Sequence, residues 1–115
     1  MIEFKVKTEL GKNITVRFNK GTYLDNGNTY IGFYGRNDDE GNDYFEPWGN
    51  VTVNLDVVLP KDVAFIDVNN CDKNIILEME KCGYIRHTGN VMPSGFVTYP
   101  LCEIDEDFLN SIDEI

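Results

Sequence analysis

Apolar and polar residues alternate from the second position of the chain, with Ile2, Phe4 and Val6 set against Glu3, Lys5 and Lys7. A period of two sends successive side chains to opposite faces, so this stretch predicts a strand with one buried face. Gly11-Lys12-Asn13 supplies a turn, after which Ile14, Val16 and Phe18 alternate with Thr15, Arg17 and Asn19. The two segments predict a hairpin. Asp25-Asn26-Gly27-Asn28 is a further turn signal, because Asn and Gly tolerate positive φ, and it separates a third strand at Tyr23-Leu24 from a fourth over residues 30–34. The polar run from Arg36 to Asp43 reads as a solvated loop.

Residues 50–57 place Val51, Val53, Leu55 and Val57 in alternation with polar partners, the cleanest amphipathic strand pattern in the chain, and Pro60-Lys61-Asp62 breaks it. The apolar run over residues 63–68 predicts a buried strand closed by a turn at Asn69-Asn70. Asp72 then suits a helix N-cap, Ile75, Ile76, Met79 and Cys82 form an apolar stripe, and Gly83 sits where the helix must end. Ser94-Gly95 turns into a last strand over residues 96–101, whose Pro100 marks an edge or an end. Phe108, Leu109 and Ile112 carry helical spacing in the acidic tail. The pattern predicts an α+β fold: an antiparallel sheet of about five to seven strands, one packed helix and a short C-terminal helix. With 115 residues, 42% of them hydrophobic, residues 1–115 form a single domain.

Charge narrows the function. The chain carries 20 acidic and 10 basic residues, a formal charge of -10. Residues 1–35 are slightly basic, with Lys5, Lys7, Lys12, Arg17 and Lys20 against Glu3, Glu9 and Asp25, so the excess acid lies entirely in residues 36–115. Such a field repels phosphate backbones and anionic membranes, which argues against direct nucleic-acid binding. No segment holds the roughly 18 consecutive apolar residues of a membrane span. The N-terminus has no basic region followed by an apolar stretch, and the three cysteines lack C-x-x-C spacing. A cytoplasmic protein with reduced thiols is expected, in which the two N-x-T sequons at Asn13 and Asn50 are never glycosylated.

Candidate chemistries fail on spacing. If Gly41 is the glycine of a calcium-binding EF-hand loop, Arg36 stands where the first ligand belongs and Pro47 where the bidentate Glu belongs. Cys71, Cys82, His87 and Cys102 lack the close ligand pairs of structural zinc sites. His87 could serve any of these thiols as a base, but no motif places one where a thiolate is favoured. Nucleophile-elbow, P-loop and dinucleotide motifs are missing, and the many acids single out no carboxylate pair. No cofactor, no metal and no catalytic residue is expected. Tyr44, Phe45 and Trp48 border the acidic loop, either as core anchors for it or as exposed rings surrounded by carboxylates.

The segments Trp48-Gly49-Asn50-Val51-Thr52-Val53-Asn54-Leu55, Asp67-Val68-Asn69-Asn70 and Ser94-Gly95-Phe96-Val97-Thr98-Tyr99-Pro100-Leu101 resemble, in this order, a family of short bacterial proteins known as domain of unknown function 4313. The resemblance implies cargo of plasmids, integrative elements and phages, and hence a protein that acts on host machinery. Combined with the charge, it leads to an expected partner with a basic surface, such as a CRISPR effector nuclease of the Cas9 type, blocked where it binds nucleic acid. The expected contacts are drawn from Asp38, Asp39, Glu40 and Asp43 with Trp48, or from Glu103, Asp105, Glu106 and Asp107. The alternatives are a non-inhibitory accessory or structural protein of a mobile element and, behind it, a cysteine-dependent enzyme. Asn69, Asn70, Ser94 and Gly95 are expected to form turns.

Overall fold

A computed structural model describes residues 2–115. The alternating N-terminal segments form β1 (Glu3–Lys7) and β2 (Asn13–Thr22), paired antiparallel with Phe4 opposite Val16. β2 runs on through Thr22 into a hairpin with β3 (Thr29–Asn37), so Tyr23-Leu24 belongs to the connecting turn and not to a strand of its own. β4 (Glu46–Asn50) completes the order β1-β2-β3-β4. The other elements are β5 (Thr52–Val53), β6 (Val63–Ile66), α1 (Lys73–Lys81), β7 (Ile85–Ser94), β8 (Val97–Ile104), α2 (Glu106–Ser111) and β9 (Asp113–Glu114). Among the described residues the strands number nine and form two sheets, the second in the order β5-β6-β8-β7. The expected single sheet of five to seven strands is thereby corrected to a mainly β fold with two short helices.

Two departures have clear physical causes. Within the alternating stretch 50–57, Asn50 ends β4 and only Thr52–Val53 forms a further strand. Beyond it the Asn28 side chain stands in for a strand neighbour: its Nδ2 donates to the Val57 carbonyl at 2.7 Å and its Oδ1 accepts from the Leu59 amide at 2.8 Å. A buried amide with both donor and acceptor capacity satisfies an extended backbone without a ladder. The other departure is β7, whose sequence IRHTGNVMPS has no alternation. Its register shifts between His87 and Val91, where Gly89 takes φ +90°. The hairpin turn to β8 is Gly95-Phe96, with Ser94 opposite Val97, so Phe96 lies in the turn.

α1 forms as its cap residues dictate. The Asp72 carboxylate accepts from the Asn74 amide at 3.0 Å, and Ile75, Ile76 and Met79 are buried. At the other end Gly83, at φ +77°, donates to the Glu80 carbonyl while Tyr84 donates to that of Met79, a Schellman closure. The core between the sheets and helices gathers Ile14, Val16 and Phe18 from β2, Ile66 from β6, Cys102 and Ile104 from β8, and Phe108 from α2. Parallel pairing of β9 with β2, Asn19 opposite Asp113, continues the β2 edge that β1 leaves at Arg17. Both chain ends are thus held on one strand. Phe108 is 2% exposed and stacks on Tyr84 at 4.4 Å, so Phe108→Ala should cost about 3–5 kcal/mol in urea unfolding. A loss below 1 kcal/mol would show that α2 does not close this core.

Candidate functional site

The loop that reads as solvated is largely exposed, as expected, and is also tied to β2. After β3 the chain turns at residues 38–41, with Gly41 at φ +67°. Asp38 accepts from the Thr15 hydroxyl at 2.8 Å and from Arg36 Nε at 3.1 Å. Asp39 accepts from both the backbone amide and the side-chain amide of Asn13, at 3.0 and 2.9 Å. Hydrogen bonds to a carboxylate favour its charged form. The Thr15 hydroxyl, then Arg36, holds Asp38 below the usual carboxylate value, and the Asn13 amides do the same for Asp39. Asp38 is half-buried and bonded, Asp39 is bonded to Asn13 but exposed, and Glu40 and Asp43 are exposed as well, Glu40 accepting from Asn42. Phe45 lies under the guanidinium groups of Arg17 and Arg36, 4.0 and 5.0 Å from its ring centre. Trp48 is half-buried against the core, over Gly35, where a Cβ would overlap the indole.

The C-terminal acids gather instead. Arg86 lies 3.5 Å from Glu103 and 3.6 Å from Asp105, and Asp105 also caps α2 by accepting from the Phe108 amide at 3.0 Å. Glu106 and Asp107 follow, exposed in the first turn of α2. Asp62 joins them because the Ile104 amide donates to its carbonyl at 2.7 Å. Together these acids, with Lys61 and Arg86, line a surface groove of about 740 Å³. Asp62 is distant from the others in the chain, and only the β6–β8 pairing brings it there.

The thiols form one arrangement of chemical interest. Cys102 Sγ lies 3.7 Å from His87 Nδ1, and the other ring nitrogen of His87 contacts Glu80. A thiol, an imidazole and a carboxylate in this order are the parts of a nucleophilic triad. Cys102, however, is fully buried, and its burial, aided by the negative charge of Glu80, pushes the thiol up to about 11. Cys71 is pushed to about 12 by burial and by Asp72, Asp67 and Glu9, and Cys82 is raised by desolvation and by Glu78. A nucleophilic thiol requires the opposite shift.

The residues that form these surfaces lie almost wholly within one recognised unit, for the family model of the domain of unknown function DUF4313 matches residues 15–114. The chain belongs to this family. No curated protein and no solved structure matches it. Within this DUF4313 domain, the Asn69-Asn70 segment is a turn, with Asp67 accepting from the Asn70 amide at 3.1 Å and from its side chain at 3.3 Å.

Two predictions follow from the titrating groups. Because Asp38 is lowered from 3.8 in the folded chain, its contribution to stability is fully present above that value and is lost as pH falls through its folded value. The urea midpoint of Asp38→Asn should therefore lie below wild type at pH 6, and the two should converge below about pH 4. A gap that persists unchanged at pH 3 would contradict the assigned bonds. A thiol reagent near neutral pH should modify exposed Cys82 in the native chain and reach Cys71 and Cys102 only on unfolding. Rapid native modification of Cys102 would reverse that reading.

Proposed function

We propose that this DUF4313 domain works by binding a protein with a basic surface, through the groove that Asp62, Glu103, Asp105, Glu106 and Asp107 line. The convergence of these five acids around Lys61 and Arg86 is the observation that carries the reading. Arg86 is shared between Glu103 and Asp105, which leaves Glu106 and Asp107 without a cationic partner among the described residues. A chain of charge -10 also accelerates its own encounter with a cationic partner.

The sharper form of the proposal is inhibition. A nuclease that holds nucleic acid in a positive channel and reads a short flanking motif with arginines offers cations spaced for phosphates. Carboxylates seated there compete with the nucleic acid, which makes an anti-CRISPR role against a Cas9-type effector the specific case. In the second reading the domain is an accessory or structural protein of a mobile element, occupying the same kind of surface without inhibiting. The Cys102-His87-Glu80 arrangement is the feature among the described residues on the side of an enzyme, and the burial of Cys102 opposes that use. No helix among the described residues is long and apolar enough to cross a membrane; a partner met in the cytoplasm is part of the proposal.

Capture of partners on the immobilised domain tests this directly. Binding should fall steeply between 50 and roughly 500 mM salt, since exposed charges are screened over a few ångströms at the higher value. Glu106→Lys combined with Asp107→Lys should weaken it about tenfold or more, while Glu40→Lys should change it little. A salt-independent complex, or one indifferent to the double reversal, would overturn the acidic-groove reading. Protection of DNA from cleavage by the captured nuclease separates inhibitor from accessory protein.

A further inference from the structure

A second groove, also about 740 Å³, runs between α1 and β4, and its lining differs in kind. Phe33, Trp48 and Ile76 form its apolar floor, and all three belong to or pack against the core. On its rim stand Leu10, Val68 and Leu77, which are 88%, 44% and 47% exposed. Large apolar side chains held in water around a concave apolar floor mark an interaction surface more often than chance exposure does.

The walls are fixed by hydrogen bonds. The Glu9 amide donates to Asp72 Oδ2 at 3.0 Å, the Lys73 amide donates back to Glu9 Oε2 at 3.2 Å, and Asn74 Nδ2 donates to the Lys7 carbonyl at 2.9 Å. This clip fastens the β1–β2 turn to the start of α1 and so sets Leu10 at the rim. The facing wall is the turn that Asp67 stabilises, from which Asn69 projects without a hydrogen bond of its own among the described residues. A groove that is already formed costs little ordering when something binds.

Charge specifies the occupant. Glu9, Asp72 and Glu80 line the groove against one cation, Lys73. None of the three carboxylates pairs with a Lys or Arg among the described residues; Glu80 meets only His87. Backbone amides at the start of α1 fix the positions of Glu9 and Asp72 and take up part of their charge, while no Lys or Arg side chain pairs with either among the described residues. We infer that the α1–β4 groove seats a segment of a partner protein in which apolar side chains alternate with Lys or Arg. The apolar residues meet Trp48, Val68, Leu10 and Leu77, the cations meet Glu9, Asp72 and Glu80, and the Asn69 amide is free to bond the peptide backbone. A second copy of this chain would bring a net charge of -10 to an acidic rim, and an anionic lipid surface would be repelled by the same rim. This surface is separate from the acidic groove beside α2, so either can fail alone.

The test uses the full chain labelled with ¹⁵N and a synthetic peptide that alternates Leu with Lys. Amide shifts are expected at Leu10, Gly49, Asn69 and Lys73. Leu10→Ser combined with Leu77→Ser should weaken binding about tenfold or more through lost apolar contact, without unfolding, because both side chains already face solvent. The Glu106→Lys and Asp107→Lys double variant should bind the peptide with less than about a twofold change. A peptide alternating Leu with Glu should not bind. The inference is overturned by shifts confined to the groove beside α2, by equal binding of the Leu/Glu peptide, or by no shift at all. It is equally overturned if the same residues respond to anionic vesicles, or to rising concentration of the chain alone, in place of the peptide.

Discussion

Four segments of the chain meet at the ring of Phe18. Phe4 of β1 and Phe108 of α2 approach it edge-on with ring centres 5.3 Å away, and Phe33 of β3 and Tyr84, just past α1, do so at 6.5 Å. Edge-to-face packing of this kind adds roughly 0.5–1.5 kcal/mol per pair to the burial itself. More consequential is what the contacts join: the first sheet, the exit from α1 and the C-terminal helix. Tyr84 accepts this position because the Schellman turn at Gly83 reverses the chain there. Its carbonyl then takes the Asp105 amide at 2.9 Å, so the ring cluster and the start of α2 are set together.

That arrangement decides where charge is used. β2 is covered on its inner face by the aromatic cluster, and on its outer face Thr15 and Asn13 bind the carboxylates of Asp38 and Asp39. Neutral donors of β2 therefore hold part of the acidic loop. Asp105, held at the cap of α2, brings Glu106 and Asp107 beside Glu103, Asp62 and Arg86, so that five acids face one groove. A net charge of -10 alone would be compatible with simple solubility. The gathering of five acids in a groove beside α2, and of three around an apolar groove at α1, favours binding.

Local signals were legible wherever they act alone. β1 and the first half of β2 alternate strictly, and α1 carries a cap, a stripe and a terminating glycine. What escaped the sequence depends on partners far along the chain. β7 exists because β8 pairs with it across a shift at Gly89, and β5 stops early because Asn28 supplies the bonds that a ladder would have made. Of the candidate site, the acids at Glu103 to Asp107 were visible as a run, whereas the contribution of Asp62 and the internal bonding of Asp38 and Asp39 required the register of both sheets. Trp48 was ambiguous for a related reason: Gly35, which makes room for its ring, lies on the neighbouring strand.

The proposed binding through acidic surfaces at α1 and α2, with Cys71 and Cys102 buried in the core, is the central claim. Hydrogen–deuterium exchange on the domain captured with its cellular partner addresses it most directly. The account predicts slowed exchange over residues 103–110 and at residues 9–10, 48–49 and 68–77, with no change in the outward-facing residues of β1. Protection centred on Lys5, Lys7 and Arg17, with both acidic grooves unaffected, would contradict it.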